Sequence, residues 1–364
     1  MSFHKIAYLE WARHHMGTVR CDLARSNIRG LSRQEFDFTV EDVHTGYVDE
    51  SGQPALRTLI GDRYGIGPER VFISNGATMG IYLACAASIE HGDEVLLEAP
   101  NYEPLYRIPQ HLKASIKAFE RRFDRGWQVD LEEFERRVSR GTKAVLMTNL
   151  HNPSGTATNP DKMLTIGQIA RDHGARVIVS EVYLDSCFET GHKPAVTFGD
   201  HMVSIGSLSK VFGLGGLRVG WIAASEEFIR RIHVVQDYIA GGVSGASQSL
   251  ALKALSMADV LAARCRKIVQ DNLKILSDWL RKRPDLAWVE PVGGTVALVK
   301  LPGTLDAMEL SNHLREKHAT LVVPGEFFWL RGFIRLSLGG EEETLKTGLK
   351  HLGTALDYFK SRGR

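Results

Sequence analysis

Residues 207–221, SLSKVFGLGGLRVGW, crowd two hydroxyls, a lysine, a run of glycines and an arginine into one short segment. A lysine in a partly desolvated pocket has its ammonium form disfavoured, so its amine can join an aldehyde as a Schiff base and later act as a base. Lys210 has that chemistry available. Gly213, Gly215 and Gly216 permit positive φ and close backbone approach, while Arg218 and Ser207 could donate hydrogen bonds to a phosphate. The competing reading is a glycine-rich surface turn with a solvated Lys and Arg. A second anion-binding candidate is SNGATMG at 74–80, a strand end that runs through Gly76 into a helix, leaving the N–H groups around Gly76, Ala77 and Thr78 free for an anion. Alone that signal is weak, because most such turns bind nothing.

These residues need a frame. RVFIS (70–74), EVLLEA (94–99), KAVLMT (143–148), RVIVSE (176–181), MVSIGS (202–207) and LRVGWIAA (217–224) are short, apolar and rich in β-branched residues, and read as buried strands. Helical patterns at 77–89 and 160–173 lie between them. This alternation predicts an α/β fold with a largely parallel sheet covered by helices, and ligands gathered at strand ends. From about residue 244 long helices take over, the longest at 258–281, followed by GGTVALVKL and a final strand and helix. That shift predicts an amino-terminal segment over 1–30, a large domain over 31–255 and a smaller α+β domain over 256–364. An amphipathic helix near 4–16 is expected to join the small domain or reach a partner subunit.

A chain of 364 residues suits one large domain with a smaller companion. Forty-three per cent hydrophobic and 24% charged residues exclude a mostly disordered chain. A net charge of +2 implies neither nucleic acid nor an anionic membrane as partner. No apolar run is long enough to span a bilayer, and the start of the chain has no signal-peptide pattern. Cys21, Cys85, Cys187 and Cys265 lack metal-ligand spacing, so no metal is expected and a reducing, cytoplasmic location is the default.

The string at 207–220 has the form S-x-S-K-x-x-G-x-x-G-x-R-x-G. In this the sequence resembles the class I/II aminotransferases of the pyridoxal 5′-phosphate (PLP) dependent fold type I superfamily, and further segments match in order along nearly the whole chain. The resemblance implies a large domain with a mostly parallel, seven-stranded sheet between helices, and a smaller α+β domain. It makes Lys210 the catalytic residue that carries PLP as a Schiff base, and puts Ser207, Ser209 and Arg218, with Gly76, Ala77 and Thr78, around the phosphate. Tyr102 in APNYEPLY corresponds to the aromatic ring stacked on the pyridine. Asn152 in NLHNPSGT and Tyr183 in VSEVYLD correspond to donors to the cofactor's phenolic oxygen. Taken without the resemblance, the first is an ordinary Asn-Pro turn. In GYVDESGQPALR, Tyr47 corresponds to a tyrosine that reaches the neighbouring subunit's phosphate, which implies a homodimer with shared sites. Arg335 in FIRLSL corresponds to the arginine that clamps the substrate α-carboxylate; a strand-end salt bridge is the alternative. Asn152 would also meet substrate, and residues 26–29, with Asn27 and Ile28, are expected to face its side chain. Arg25 and Arg29 there suit either an acidic side chain or a solvated basic loop.

The pattern breaks at one position. Where the family has an aspartate paired with the pyridine nitrogen, this chain has Ser180, which can bond the ring but cannot supply the charge that deepens it as an electron sink. Three readings follow: a specialisation toward a lyase, racemase or other reaction; a substitution introduced into an ordinary aminotransferase; or an inward shift of Glu181, which the alternation of strand side chains opposes. The expected function is transfer of an amino group from an amino acid to a 2-oxo acid. A PLP-dependent lyase or racemase, or a catalytically impaired PLP-binding protein, is the alternative.

Overall fold

The computed structural model describes residues 5–363, so residue 4, where the first expected helix would begin, lies outside it. Among the described residues thirteen strands run in chain order: β1 (Cys21–Asp22), β2 (Val71–Ser74), β3 (Glu94–Ala99), β4 (Ser115–Glu120), β5 (Thr142–Thr148), β6 (Arg176–Ser180), β7 (Met202–Ser207), β8 (Gly220–Ala223), β9 (Ala287–Trp288), β10 (Val296–Lys300), β11 (Thr320–Leu321), β12 (Val323–Pro324) and β13 (Phe333–Ser337). The helices are α1 (Ala7–His15), α2 (Pro54–Tyr64), α3 (Gly76–Ser88), α4 (Glu103–His111), α5 (Leu131–Arg137), α6 (Pro160–Asp172), α7 (Glu226–Gln236), α8 (Gly245–Ser256), α9 (Ala258–Leu280), α10 (Ala307–His318) and α11 (Glu342–Ser361).

Seven strands form the main sheet in the order β2-β8-β7-β6-β5-β3-β4. Pairs from β7 to β4 are parallel, and β8 runs antiparallel to both its neighbours. Apolar residues on both faces of β3, β5, β6 and β7 explain the arrangement, since helices cover both sides of a parallel sheet. One face packs Ile81, Leu83 and Phe228 against Val95, Leu146 and Ile178, and the other packs Met163 and Ile166 against Val145, Val177 and Val179. The parallel strands end together at Ala99, Thr148, Ser180 and Ser207, and β2 ends beside them at Ser74.

Further along, β12-β13-β10-β9 make a four-stranded antiparallel sheet, and β1 pairs in parallel with β11. One core joins Leu56, Ile73 and Trp221 of the first layer to Leu276, Leu336 and Leu352 of the second. All four cysteines are free and buried. Among the described residues no helix is long and apolar enough to cross a membrane.

Below the strand ends lies a buried ion pair. Arg121 donates to Glu98 at 2.6 Å, and neither side chain is exposed. Glu98 also accepts from Thr148 N at 2.8 Å, Thr148 Oγ1 at 2.9 Å and Asn101 Nδ2 at 3.0 Å, and Arg121 donates to Thr158 Oγ1 and the Trp127 carbonyl. Removing one partner strands the other charge in low dielectric. Arg121→Ala should therefore lower the unfolding free energy by about 3–5 kcal/mol, read from denaturant melts.

Candidate active site

At the carboxyl ends of β6 and β7 the chain encloses a cavity of about 280 Å³. Lys210 follows β7, and its Nζ donates to Ser26 Oγ at 2.8 Å. Burial, reinforced by the positive charges of Arg335 and Arg218, brings its amine down to about 7. At neutral pH a large share is thus the free amine.

One end of the cavity is built for an anion. Gly76 opens α3 at φ 75°, and a Cβ there would lie 2.7 Å from Arg218 Nη2. Arg218 itself holds a left-handed φ of 56° and donates through Nη1 to the Gly215 carbonyl at 3.0 Å. The partial positive charge of a helix start and a guanidinium stand face to face, and among the described residues Arg218 has no carboxylate partner. Ala77, Thr78, Ser207, Ser209 and Arg218 line this end.

The rest of the wall mixes tyrosine, amide and hydroxyl groups with the apolar side chains of Leu9, Ile81, Leu150 and Val182. Tyr102 precedes α4, and burial pushes its hydroxyl well above the ordinary value, with Thr78 as its hydrogen-bond partner. Tyr183 donates to the Ser26 carbonyl at 2.9 Å. Asn152 lines the cavity, and its backbone N–H donates to Thr148 Oγ1 at 3.2 Å, which ties it to the Glu98–Arg121 pair below. Arg335, on β13, sits behind Asn152. Its Nη1 donates to Asn152 Oδ1 at 3.2 Å, and its Nη2 to the Tyr8 hydroxyl at 2.9 Å and the Ala24 carbonyl at 3.1 Å; Nε is buried with no partner among the described residues.

Ser180 is the last residue of β6 and faces the cavity. Glu181 does not replace it: its Oε1 accepts from Ala195 N at 2.9 Å, and burial raises its carboxyl to about 8. Neither Asn27 nor Ile28 lines the cavity. Ile28 is wholly buried in the main core, and Asn27 Nδ2 turns to the Ile28 carbonyl at 3.1 Å; Ser26 takes the place expected of them. Arg25 pairs with Asp22 at 3.0 Å and Arg29 with Glu341 at 3.3 Å, so both belong to the solvated loop. Tyr47 is 84% exposed and away from this cavity. Thr148, Leu9 and Tyr8 carry no local signal in the sequence for a place at the site. Ser26 opens the 26–29 stretch expected to face the substrate.

Residues 33–352 match the family described as aminotransferase class I and II. The chain belongs to that family. An aspartate aminotransferase from Pyrococcus horikoshii is 26% identical over 329 residues, covering 87% of this chain and 84% of the relative. Among solved structures, a PLP-dependent aminotransferase from Streptococcus suis superposes with a TM-score of 0.93 at 28% identity over 99% of both chains. The PLP-dependent cyclase OrfR does so with a TM-score of 0.90 at 27% identity, over 99% of this chain and 98% of that one.

This aminotransferase thus has the fold type I architecture, uses PLP, and works on amino acids and 2-oxo acids. Its cavity fits the cofactor on its own chemistry. A dianionic phosphate answers Arg218, which has no carboxylate partner among the described residues, beside the start of α3, and an amine pushed toward its free form answers an aldehyde.

Proposed function

We propose that the chain moves an amino group from an amino acid to a 2-oxo acid, with Lys210 as the residue that carries the cofactor and shuttles the substrate proton. The observation behind this reading is the position of the Lys210 amine, which lines the cavity beside Arg218 and donates to Ser26 Oγ at 2.8 Å, where desolvation pushes it down to about 7. Bound there, PLP supplies an aldehyde for amines and a conjugated ring that takes up the electron pair of a broken Cα–H bond. The N–H groups at Gly76, Ala77 and Thr78, with Ser207, Ser209 and Arg218, would hold the phosphate. Tyr102 would cover the ring face and exclude water, while Asn152 would donate to the phenolic oxygen through Nδ2, and Tyr183 would do so by turning its single hydroxyl proton away from the Ser26 carbonyl. Arg335 would orient the α-carboxylate through its fork, so that the free Lys210 amine reaches the Cα proton and later returns it.

Tyr47 would serve the neighbouring subunit of a homodimer. Its ring is 84% exposed, and Val40 and Tyr238 are exposed at 85% and 90%; burial against a second copy would remove that apolar surface from water. Pairing of β1 with β11 supports an amino-terminal segment, 1–30, that joins a small domain at 256–364 beside a large one at 31–255. A cytoplasmic location fits the four free thiols.

A second reading has one observation in its favour: Ser180 stands on the cavity wall with its neighbour Glu181 committed elsewhere. With less charge at that position, a reaction needing less delocalisation, such as a lyase, racemase or cyclase step, becomes competitive; the likeness to a PLP-dependent cyclase is consistent with this.

Capture of PLP by the apoprotein tests the main reading. Below about pH 7 the Lys210 ammonium cannot attack an aldehyde, and above it the amine can, so the rate of appearance of the visible band should rise with pH through a midpoint near 7. A midpoint at the ordinary lysine value of 10.5, or no band, would remove Lys210 from this role.

A further inference from the structure

Arg335 has five N–H donors in a planar fork. Three have partners: Asn152 Oδ1 on Nη1, and the Ala24 carbonyl and Tyr8 hydroxyl on Nη2. Because the Tyr8 oxygen accepts from the guanidinium, its own proton is left to donate, and no acceptor for it occurs among the described residues. Tyr8 is 4% exposed, with its ring edge-on to Tyr102 at 5.9 Å, and Leu9 beside it lines the cavity. Residue 8 also lies outside the 33–352 span shared with the family.

Helix α1 is held in place by one buried carboxylate. Glu103 accepts from Ala7 N at 3.1 Å and Tyr8 N at 2.5 Å, is itself held by Arg107 Nε at 2.9 Å, and is 1% exposed. An anion at a helix N-terminus fixes both its position and its direction. We propose that Tyr8 is a substrate-binding residue, the third donor of the carboxylate clamp: it steadies one prong of Arg335 and gives its own proton to the substrate α-carboxylate. Glu103 is the positioning residue that brings it there. This rests on the reading of Arg335 as the carboxylate's partner. Recognition of the acid end of the substrate is then shared between β13 and the amino-terminal helix.

The test uses the PLP-loaded protein and two probes followed by cofactor absorbance: propionate, which has the carboxylate, and n-propylamine, which lacks it. Tyr8→Phe should weaken propionate about tenfold, as expected for loss of one hydrogen bond to a charged group, and leave propylamine affinity as it was. Glu103→Gln should shift propionate in the same direction, which keeps the test open if Tyr8→Phe folds poorly. Propionate affinity that is unchanged in both variants overturns the proposal. Tighter binding in Tyr8→Phe also overturns it, since the hydroxyl would then be blocking Arg335. Arg335→Gln separates the two levels: if it leaves propionate affinity intact, the assignment of Arg335 fails, whereas a loss there with no change in Tyr8→Phe sinks Tyr8 alone.

Discussion

Lys210→Ala is expected to cost roughly 10²- to 10⁴-fold in turnover from the lost proton transfer alone, and the visible band of bound PLP should shift because the cofactor is no longer tethered. The expectation comes from position as much as residue type. Lys210 is the amine that the cavity pushes toward its free form, through burial first and then the charges of Arg335 and Arg218. Alanine leaves Ser26 Oγ without its donor and opens space, but it also relieves a desolvated cation, so folding should survive. Single-turnover transfer from an amino acid to PLP bound in the variant measures the chemistry without a requirement for recycling. Addition of a small primary amine should restore part of the rate, since it can supply the missing base in a cavity with room for it. Transfer within tenfold of the parent protein would mean that another group moves the proton.

Ser180→Asp is expected to raise the rate of single-turnover amino-group transfer by about tenfold or more, the scale set when an ion pair shifts a proton affinity by one unit or above. Position 180 ends β6, is 6% exposed and faces the cavity. An aspartate there would meet Lys210, Arg218 and Arg335 as the charged groups of the site, so its carboxyl should ionise and keep a proton on a ring nitrogen placed against it. Two readouts check this: the transfer rate, and the pH dependence of the bound cofactor's absorbance, whose transition should move upward. An upward transition without faster transfer would show that the carboxylate acts as described and that the protein's own reaction does not need it. That outcome would favour the lyase, racemase or cyclase reading.

The two ends of the sheet differ in how far sequence reveals them. Strands β3, β5, β6 and β7 are buried on both faces, so their apolar runs are continuous and their limits come out within a residue or two. Strand β4 escapes that reasoning. It is the edge strand, its residues alternate in exposure, and Lys117 and Glu120 give it the charged look that keeps an edge from pairing with other chains. The stretch at 217–224 reads as strand throughout, but Arg218 adopts a left-handed conformation and pairing begins only at Gly220. The site divides in the same way. Residues within a short motif, such as Lys210 and Arg218, could be singled out; Ser26 reaches Lys210 across 184 positions, and Tyr8 reaches Arg335 across 327, with no local pattern to announce either. Within the 26–29 stretch nothing says which side chain turns inward: Ser26 does, Asn27 turns to the Ile28 carbonyl, and Ile28 buries its side chain in the core while its N–H bonds the Lys210 carbonyl.

The face-to-face arrangement of Arg218 and the start of α3 bears on the life of the protein as well as on its chemistry. No aspartate or glutamate lines the cavity among the described residues, so a bound phosphate would be the counter-ion that the surrounding charges lack. A ligand that binds the folded chain and not the unfolded one shifts the folding balance by mass action, by about 2.7 kcal/mol at a hundred times its dissociation constant. Loss of the cofactor would then lower the stability of the fold as well as the activity, and leave more of the chain in states that proteases can reach.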